Sequence, residues 1–308
     1  MKCLFSTCAF VVFGGLLGVG CGHGGAANGP VGLMGSGVAF APKILSRVSD
    51  RKPNMKGDVL VLMYHKFAVK ETRYDRSFDH FGHDLERLYE MGFRPVTMSE
   101  YLADDMPLRP GSSPVVITMD DAAASQFQLQ SDGSLAPDCA VGIWQNFAAT
   151  HPDFPVRATF YVLPGVMWGQ KEWVKQKVDL LKEWGSELGS HTWDHPSLRR
   201  LTDAQVKDEI AKSLDYLREK FGYETVSFAY PYGIYPKNME LLDGFYLKGR
   251  TYQMTGAVTC NTDLAPSPSA DGFKPFKVNR VEAEEGELGV DWWLDTIAKG
   301  RRTVYVAP

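Results

Sequence analysis

From residue 58 onward, short apolar runs rich in β-branched residues alternate with segments whose apolar residues recur at helical spacing. DVLVLMYH (58–65), SPVVITMDD (113–121), VRATFYVLP (156–164), SELGSH (186–191), TVSFAYPYG (225–233) and FKVNRVEA (276–283) read as strands, with a shorter one in FRPVTM. Between them, 78–92, SEYLADD with Ser99 as its cap, WQNFAATH, 173–185, 202–222 and VDWWLDTIAKG read as helices. The clearest is 202–222, where Thr202 and Gln205 form a capping box, Val206, Ile210, Leu214, Leu217 and Phe221 share one face, and Gly222 stops the helix. Strands alternating with helices imply a parallel sheet covered by helices. About seven such units fit into the body, which points to a closed or nearly closed α/β barrel. Chemistry on such a barrel belongs at the C-terminal ends of the strands.

The first residues follow another plan. Met1–Lys2 precedes an apolar run, and Gly18 and Gly20 come before Cys21. A basic start, an apolar middle and small residues before a cut describe a signal peptide over 1–20. The box before Cys21 resembles a lipoprotein cleavage site, although Leu17 sits one place early. A lipidated Cys21, simple secretion and a retained anchor all remain open. Residues 21–56 are Gly-rich at first and read as a flexible tether, leaving 57–308 as one catalytic domain. The expected location is the cell envelope or outside the cell. Net charge is −4 with no basic stretch, so a nucleic-acid partner is set aside. Of five cysteines, only Cys139 and Cys260 lie in the body. An oxidising compartment allows a bridge between them, and the alternative is two buried thiols.

The reactive residues fall where a barrel requires them. His65, Asp120–Asp121 and His191 each end a predicted strand, and Tyr230–Gly233 ends another. His191 and His195 are four apart, so on one helical turn both imidazoles would face the same way and share a cation. Adjacent Asp120 and Asp121 repel unless something positive is near, so one can ligate a cation while the other acts as a base. Two imidazoles and one carboxylate leave open positions, the catalytic rather than the structural arrangement for zinc. Taken singly, each motif has an ordinary reading: capping histidines, or a solvated acid pair. Together they explain one another.

Thr118-Met119-Asp120-Asp121, His191-Thr192-Trp193-Asp194-His195 and Ala229-Tyr230-Pro231-Tyr232, in this order, resemble the polysaccharide deacetylases of the NodB-homology group, carbohydrate esterase family four. The resemblance covers residues 58 to 283 and implies a distorted (β/α)7 barrel. It implies Asp120 as general base, a divalent metal on Asp121, His191 and His195, and the Tyr232 backbone N–H at the oxyanion. Zinc suits that set best, and cobalt, nickel or iron also accept it. The seven histidines include none after His195, where the common family layout keeps its acid. The Tyr64-His65 pair instead resembles the rearranged branch acting on poly-N-acetylglucosamine, which makes His65 the expected acid for the leaving amine. Met119 replaces the family's Phe. Ala122 replaces Gly and is followed by a long segment, 123–156, read as a loop over the site or an ordinary insertion. Ala229 replaces the Arg that pairs with the base, and Arg280 is the candidate to supply that charge. Trp193 and Tyr232 are candidates to line a sugar groove. The implied function is removal of N-acetyl groups from an N-acetylglucosamine polysaccharide. The alternatives are an O-acetyl xylan esterase, an inactive carbohydrate-binding protein on the same fold, and a glycosidase, which would leave the histidine pair without a role.

Overall fold

The computed structural model describes residues 50–308. The signal peptide, Cys21 and most of the tether lie outside the described residues. Among the described residues no helix is long and apolar enough to cross a membrane. The body reaches back before residue 57: Asn54 pairs with Val306, and its side chain donates to the Val304 carbonyl at 3.1 Å. Gly57 lies so close to this strip that an added Cβ would meet the Val304 carbonyl carbon at 2.2 Å.

Nine strands form the main sheet: the two-residue strand Ala265–Pro266 and β1 (Asp58–Tyr64), β2 (Phe93–Val96), β3 (Ser113–Asp120), β4 (Thr159–Val162), β5 (Glu187–Ser190), β6 (Ser227–Ala229), β7 (Gly256–Val258) and β8 (Val281–Glu282). Six α-helices of five or more residues accompany them among the described residues: α1 (Phe78–Glu90), α2 (Met98–Leu102), α3 (Ala140–Thr150), α4 (Val174–Glu183), α5 (Asp203–Phe221) and α6 (Val290–Ala298). The order is β7-β6-β5-β4-β3-β1-β8, all parallel, with β2 beside the first half of β3. Asp58 and Val59 also pair antiparallel with Pro266 and Ala265. The sheet curls, and one segment joins its ends: Val278 bridges Val258 of β7, and Val281–Glu282 pairs with Leu62–Met63 of β1. This is a distorted (β/α)7 barrel. Its strands are buried on both faces, as a parallel sheet requires. Leu60, Leu62, Val115 and Ile117 face the helices, packing with Leu85, Val141 and Val178. Val59, Val61, Val116 and Val258 form the second cluster, inside the curl.

The capping box and Gly222 stop of α5 are as the sequence predicts. The cap of α2 is not: Thr97, rather than Ser99, accepts from Glu100 N–H, and Glu100 accepts in return from Thr97 N–H. Ser99 turns to Glu187 instead. α3 begins earlier than expected because Cys139 is its cap, with Sγ accepting from Gly142 N–H at 3.4 Å. Cys139 and Cys260 are both free, so no bridge joins them: one caps a helix and the other lines the central cavity. β6 is shorter than predicted, since Pro231 has no N–H to continue a ladder and Tyr232 sits at φ 60. β7 lies in a segment without a long apolar run, so the sequence pattern does not predict it.

Candidate active site

Strand ends converge on one cavity of about 530 Å³. His65 follows β1, Asp120 ends β3, Asp121 follows it, His191 follows β5, and Tyr230–Tyr232 follow β6. Asp121 and Ala122 take φ 68 and 50, two consecutive left-handed residues. That reversal lets adjacent carboxylates both reach the cavity, which a continuing strand would forbid. Ala122 occupies a position where glycine is free of strain and an L-residue costs about 1–2 kcal/mol.

His191 and His195 do come together, with ring centroids 4.7 Å apart, but not on a helical turn. Residues 191–195 form a loop in which Thr192 and His195 have φ 71 and 55. Thr192 Oγ1 accepts from His195 N–H at 2.9 Å, and Glu209 of α5 accepts from the N–H groups of Trp193 and Asp194 at 3.1 and 3.0 Å. Half-buried Glu209 carries no local sequence signal, since a glutamate on a helix is ordinary. Trp193 is turned away: its ring lies on Tyr216 at 5.8 Å and it is not among the cavity's lining residues. Its expected place in a sugar groove is therefore corrected. Tyr232 does line the cavity, with its ring 4.6 Å from that of His195 and 64% exposed.

Asp121 Oδ1 lies 3.5 Å from His191 Nε2 and 3.6 Å from His195 Nε2. Donors around a tetrahedral ion at roughly 2.1 Å stand about 3.4 Å from one another, so this spacing fits a cation between them. Donor atoms of the three residues all lie within 4.8 Å of one another. His191 Nδ1 donates to the Ala229 carbonyl at 2.9 Å, which leaves the Nε2 lone pair for a ligand. A site carboxylate and two imidazoles thus fit a divalent metal. Burial opposes the charge on Asp121, yet nearby His191 holds its carboxyl below the usual range. Burial, then His191, push the His195 imidazole down, the state a ligand needs.

Asp120 is 1% exposed and gripped by Arg280, whose Nη1 and Nη2 donate to its two oxygens at 2.7 and 2.8 Å. Arg280 also donates to Thr118 Oγ1 and to the Thr259 carbonyl. Burial alone would raise the Asp120 carboxyl, but the Arg280 guanidinium holds it down to about 2. Arg280 therefore supplies the cation that Ala229 cannot. His65 Nε2 stands 4.0 Å from Asp120 Oδ2, and burial pushes its imidazole down against the pull of Asp120.

The segment after Ala122 is neither a lid nor a free insertion. It packs into the core through Trp144, and its first turn supports the site. Buried Gln126 donates to the carbonyl of His65 at 2.6 Å and also to that of Asp120. Trp168 Nε1 donates in turn to Gln126 Oε1 at 3.3 Å. Lys177 Nζ donates to the Phe127 carbonyl at 2.8 Å. Gln126 ties the expected acid to the expected base, and nothing in the sequence singled it out.

The family profile described as polysaccharide deacetylase matches residues 109–244, a stretch that contains Asp120, Asp121, His191, His195 and Tyr232. Over residues 109–244 the chain is similar to the polysaccharide deacetylase family. His65 and Arg280 fall outside the matched stretch and reach the site only through the fold. The peptidoglycan-N-acetylglucosamine deacetylase PgdA of Listeria monocytogenes is 32% identical over 84 residues, 27% of this chain. The chain spans 17% of that relative's length. Among solved structures, the Streptococcus pyogenes deacetylase PplD superposes with TM-score 0.58 at 19% identity, covering 80% of this chain and 99% of that one. IcaB from Ammonifex degensii gives 0.56 at 20% identity, covering 78% and 96%. At these identities the two structures speak for the deacetylase fold.

Proposed function

We propose that the protein hydrolyses the N-acetyl groups of an N-acetylglucosamine-containing polysaccharide, releasing acetate and leaving a free amine. The observation that carries this reading is Asp121 Oδ1 at 3.5 and 3.6 Å from two imidazoles, with Arg280-bound Asp120 beside it and His65 across the cavity. Asp121, His191 and His195 would hold a divalent cation, zinc before cobalt, nickel or iron. Such an ion, when bound, acidifies water and polarises a carbonyl.

The chain's own groups then divide the proton traffic. Asp120 stays ionised at any ordinary pH and accepts a proton from the attacking water. Water adds to the acetamide carbon, and the Tyr232 backbone N–H donates to the oxygen that gains charge. Collapse breaks the C–N bond, and the sugar nitrogen leaves with a proton delivered by His65. Arg280 keeps Asp120 oriented throughout. Acetate and a polymer amine are the products, and the amine gains positive charge, which alters adhesion to acidic surfaces. The sequence before residue 50 supports an exported protein, held at the membrane if Cys21 is lipidated.

The test is acetate release from N-acetylglucosamine oligomers by the zinc-loaded protein, with Asp120→Asn, His191→Ala and His65→Ala in parallel. Release that is chelator-sensitive and lost in the first two variants is expected. Wild-type rates in all three would sink the reading.

A further inference from the structure

Glu282 is the one cavity-lining carboxylate that neither the ligand set nor the proton traffic uses. It is 8% exposed, and its side chain makes no hydrogen bond or ion pair with any described residue. β8 fixes its direction: Glu282 pairs with Met63 of β1 in a parallel ladder, so both side chains emerge on the same side, and both line the cavity. The Ala283 N–H donates to the Met63 carbonyl at 3.0 Å and holds that register. Burial pushes the Glu282 carboxyl up, as does nearby Glu284, while Arg73 and Arg280 oppose the shift. Lys66, Arg73 and Tyr74 line the same wall.

A buried carboxylate is expensive without partners, and when ionised it only accepts hydrogen bonds. Its oxygens still reach the cavity, so water can satisfy them until a ligand displaces it, and that ligand must then bring donors of its own. Nothing favours a metal here, because the carboxylate belongs to neither group of three ligand residues found among the described residues. Between an ammonium and hydroxyls, the surroundings favour hydroxyls, since Arg73 and Arg280 already offset the charge. A pyranose whose acetamido group faces Asp121, His191 and His195 carries such hydroxyls on the same ring.

We propose that Glu282 is a specificity-determining residue that accepts hydrogen bonds from the hydroxyls of the sugar being deacetylated. The idea rests on the deacetylase reading, and it separates recognition of the sugar from recognition of the acetyl group.

The experiment compares zinc-loaded wild type, Glu282→Gln and Glu282→Ala. The probes are an N-acetylglucosamine pentamer, followed by calorimetric binding and by acetate release, and 4-nitrophenyl acetate, which has the acetyl group but no sugar. Losing charge-assisted bonds to hydroxyls predicts that Kd and KM for the pentamer rise about tenfold or more in the alanine variant. The glutamine variant, equal in size and still an acceptor, falls between, and it alone decides the matter if the alanine variant does not fold. The ester's kcat/KM should drop less than threefold. Unmoved Kd and KM, or ester and pentamer activities falling together, overturn the proposal. If wild type binds the pentamer without releasing acetate, the deacetylase reading fails while the Kd comparison still judges Glu282. If wild type does not bind it, this inference fails.

Discussion

Arg280 grips Asp120 by both oxygens, at 2.7 and 2.8 Å, across 160 positions of sequence, with neither side chain more than 2% exposed. Removing one partner of such a pair strands a buried charge, which costs about 3–5 kcal/mol. Arg280→Met should therefore lower unfolding free energy by about that much in urea titration. Adding Asp120→Asn to it should restore part of the loss. Additive losses would mean the pair is not coupled as the geometry requires.

Metal retention should track three residues. After dialysis against buffer without chelator, wild type should hold about one equivalent of zinc per chain. Asp121→Ala, His191→Ala and His195→Ala should each hold clearly less, read by atomic absorption. Trp193→Ala should match wild type, because that ring lies on Tyr216 away from the cavity.

His65 as the acid predicts a dependence on the leaving group. An amine cannot leave without a proton, whereas nitrophenolate can. His65→Ala should cost about 10²- to 10⁴-fold on an N-acetylglucosamine oligomer and far less on 4-nitrophenyl acetate. Equal losses on both would assign His65 to another step.

Gln126 bridges the backbones of His65 and Asp120 from the far side. Replacing it with Leu leaves two carbonyls without their donor, at about 1–3 kcal/mol for a buried group. The thermal midpoint should fall accordingly, and acetate release should fall further than stability alone explains, because the separation of acid and base is no longer fixed.

Lys177 gives a pH test. Burial pushes its ammonium down to about 8, below the ordinary lysine value. The unfolded chain therefore binds more protons between the two values, and stability attributable to this residue rises with pH across that window. Unfolding free energy of wild type relative to Lys177→Met should grow from pH 8 to 10, by at most about 1.4 kcal/mol per pH unit.

Much of this was legible in the sequence, though not always for the right reason. The strand-and-helix alternation led to the barrel because it depends on burial, which apolar runs report directly. The histidine pair was picked out by its spacing of four, yet the residues meet through left-handed backbone at Thr192 and His195. Arg280 could be nominated only because the base lacked a cation. Gln126, Glu209 and Glu282 could not be nominated at all. Each works through partners far away in sequence or through backbone groups, and neither leaves a trace in residue type or period. For Cys139 the sequence allows either a bridge to Cys260 or a free thiol, and the thiol is free, with its sulfur capping a helix.

The segment that touches β7 at Val278 and β1 at Val281 also carries Arg280 and Glu282. Asp121, His191 and His195 all lie within residues 109–244, ahead of that segment in the chain. The guanidinium that grips Asp120 does not. One short segment therefore closes the sheet and fixes the buried Asp120 carboxylate together, so a change that loosens the closure also loosens Asp120.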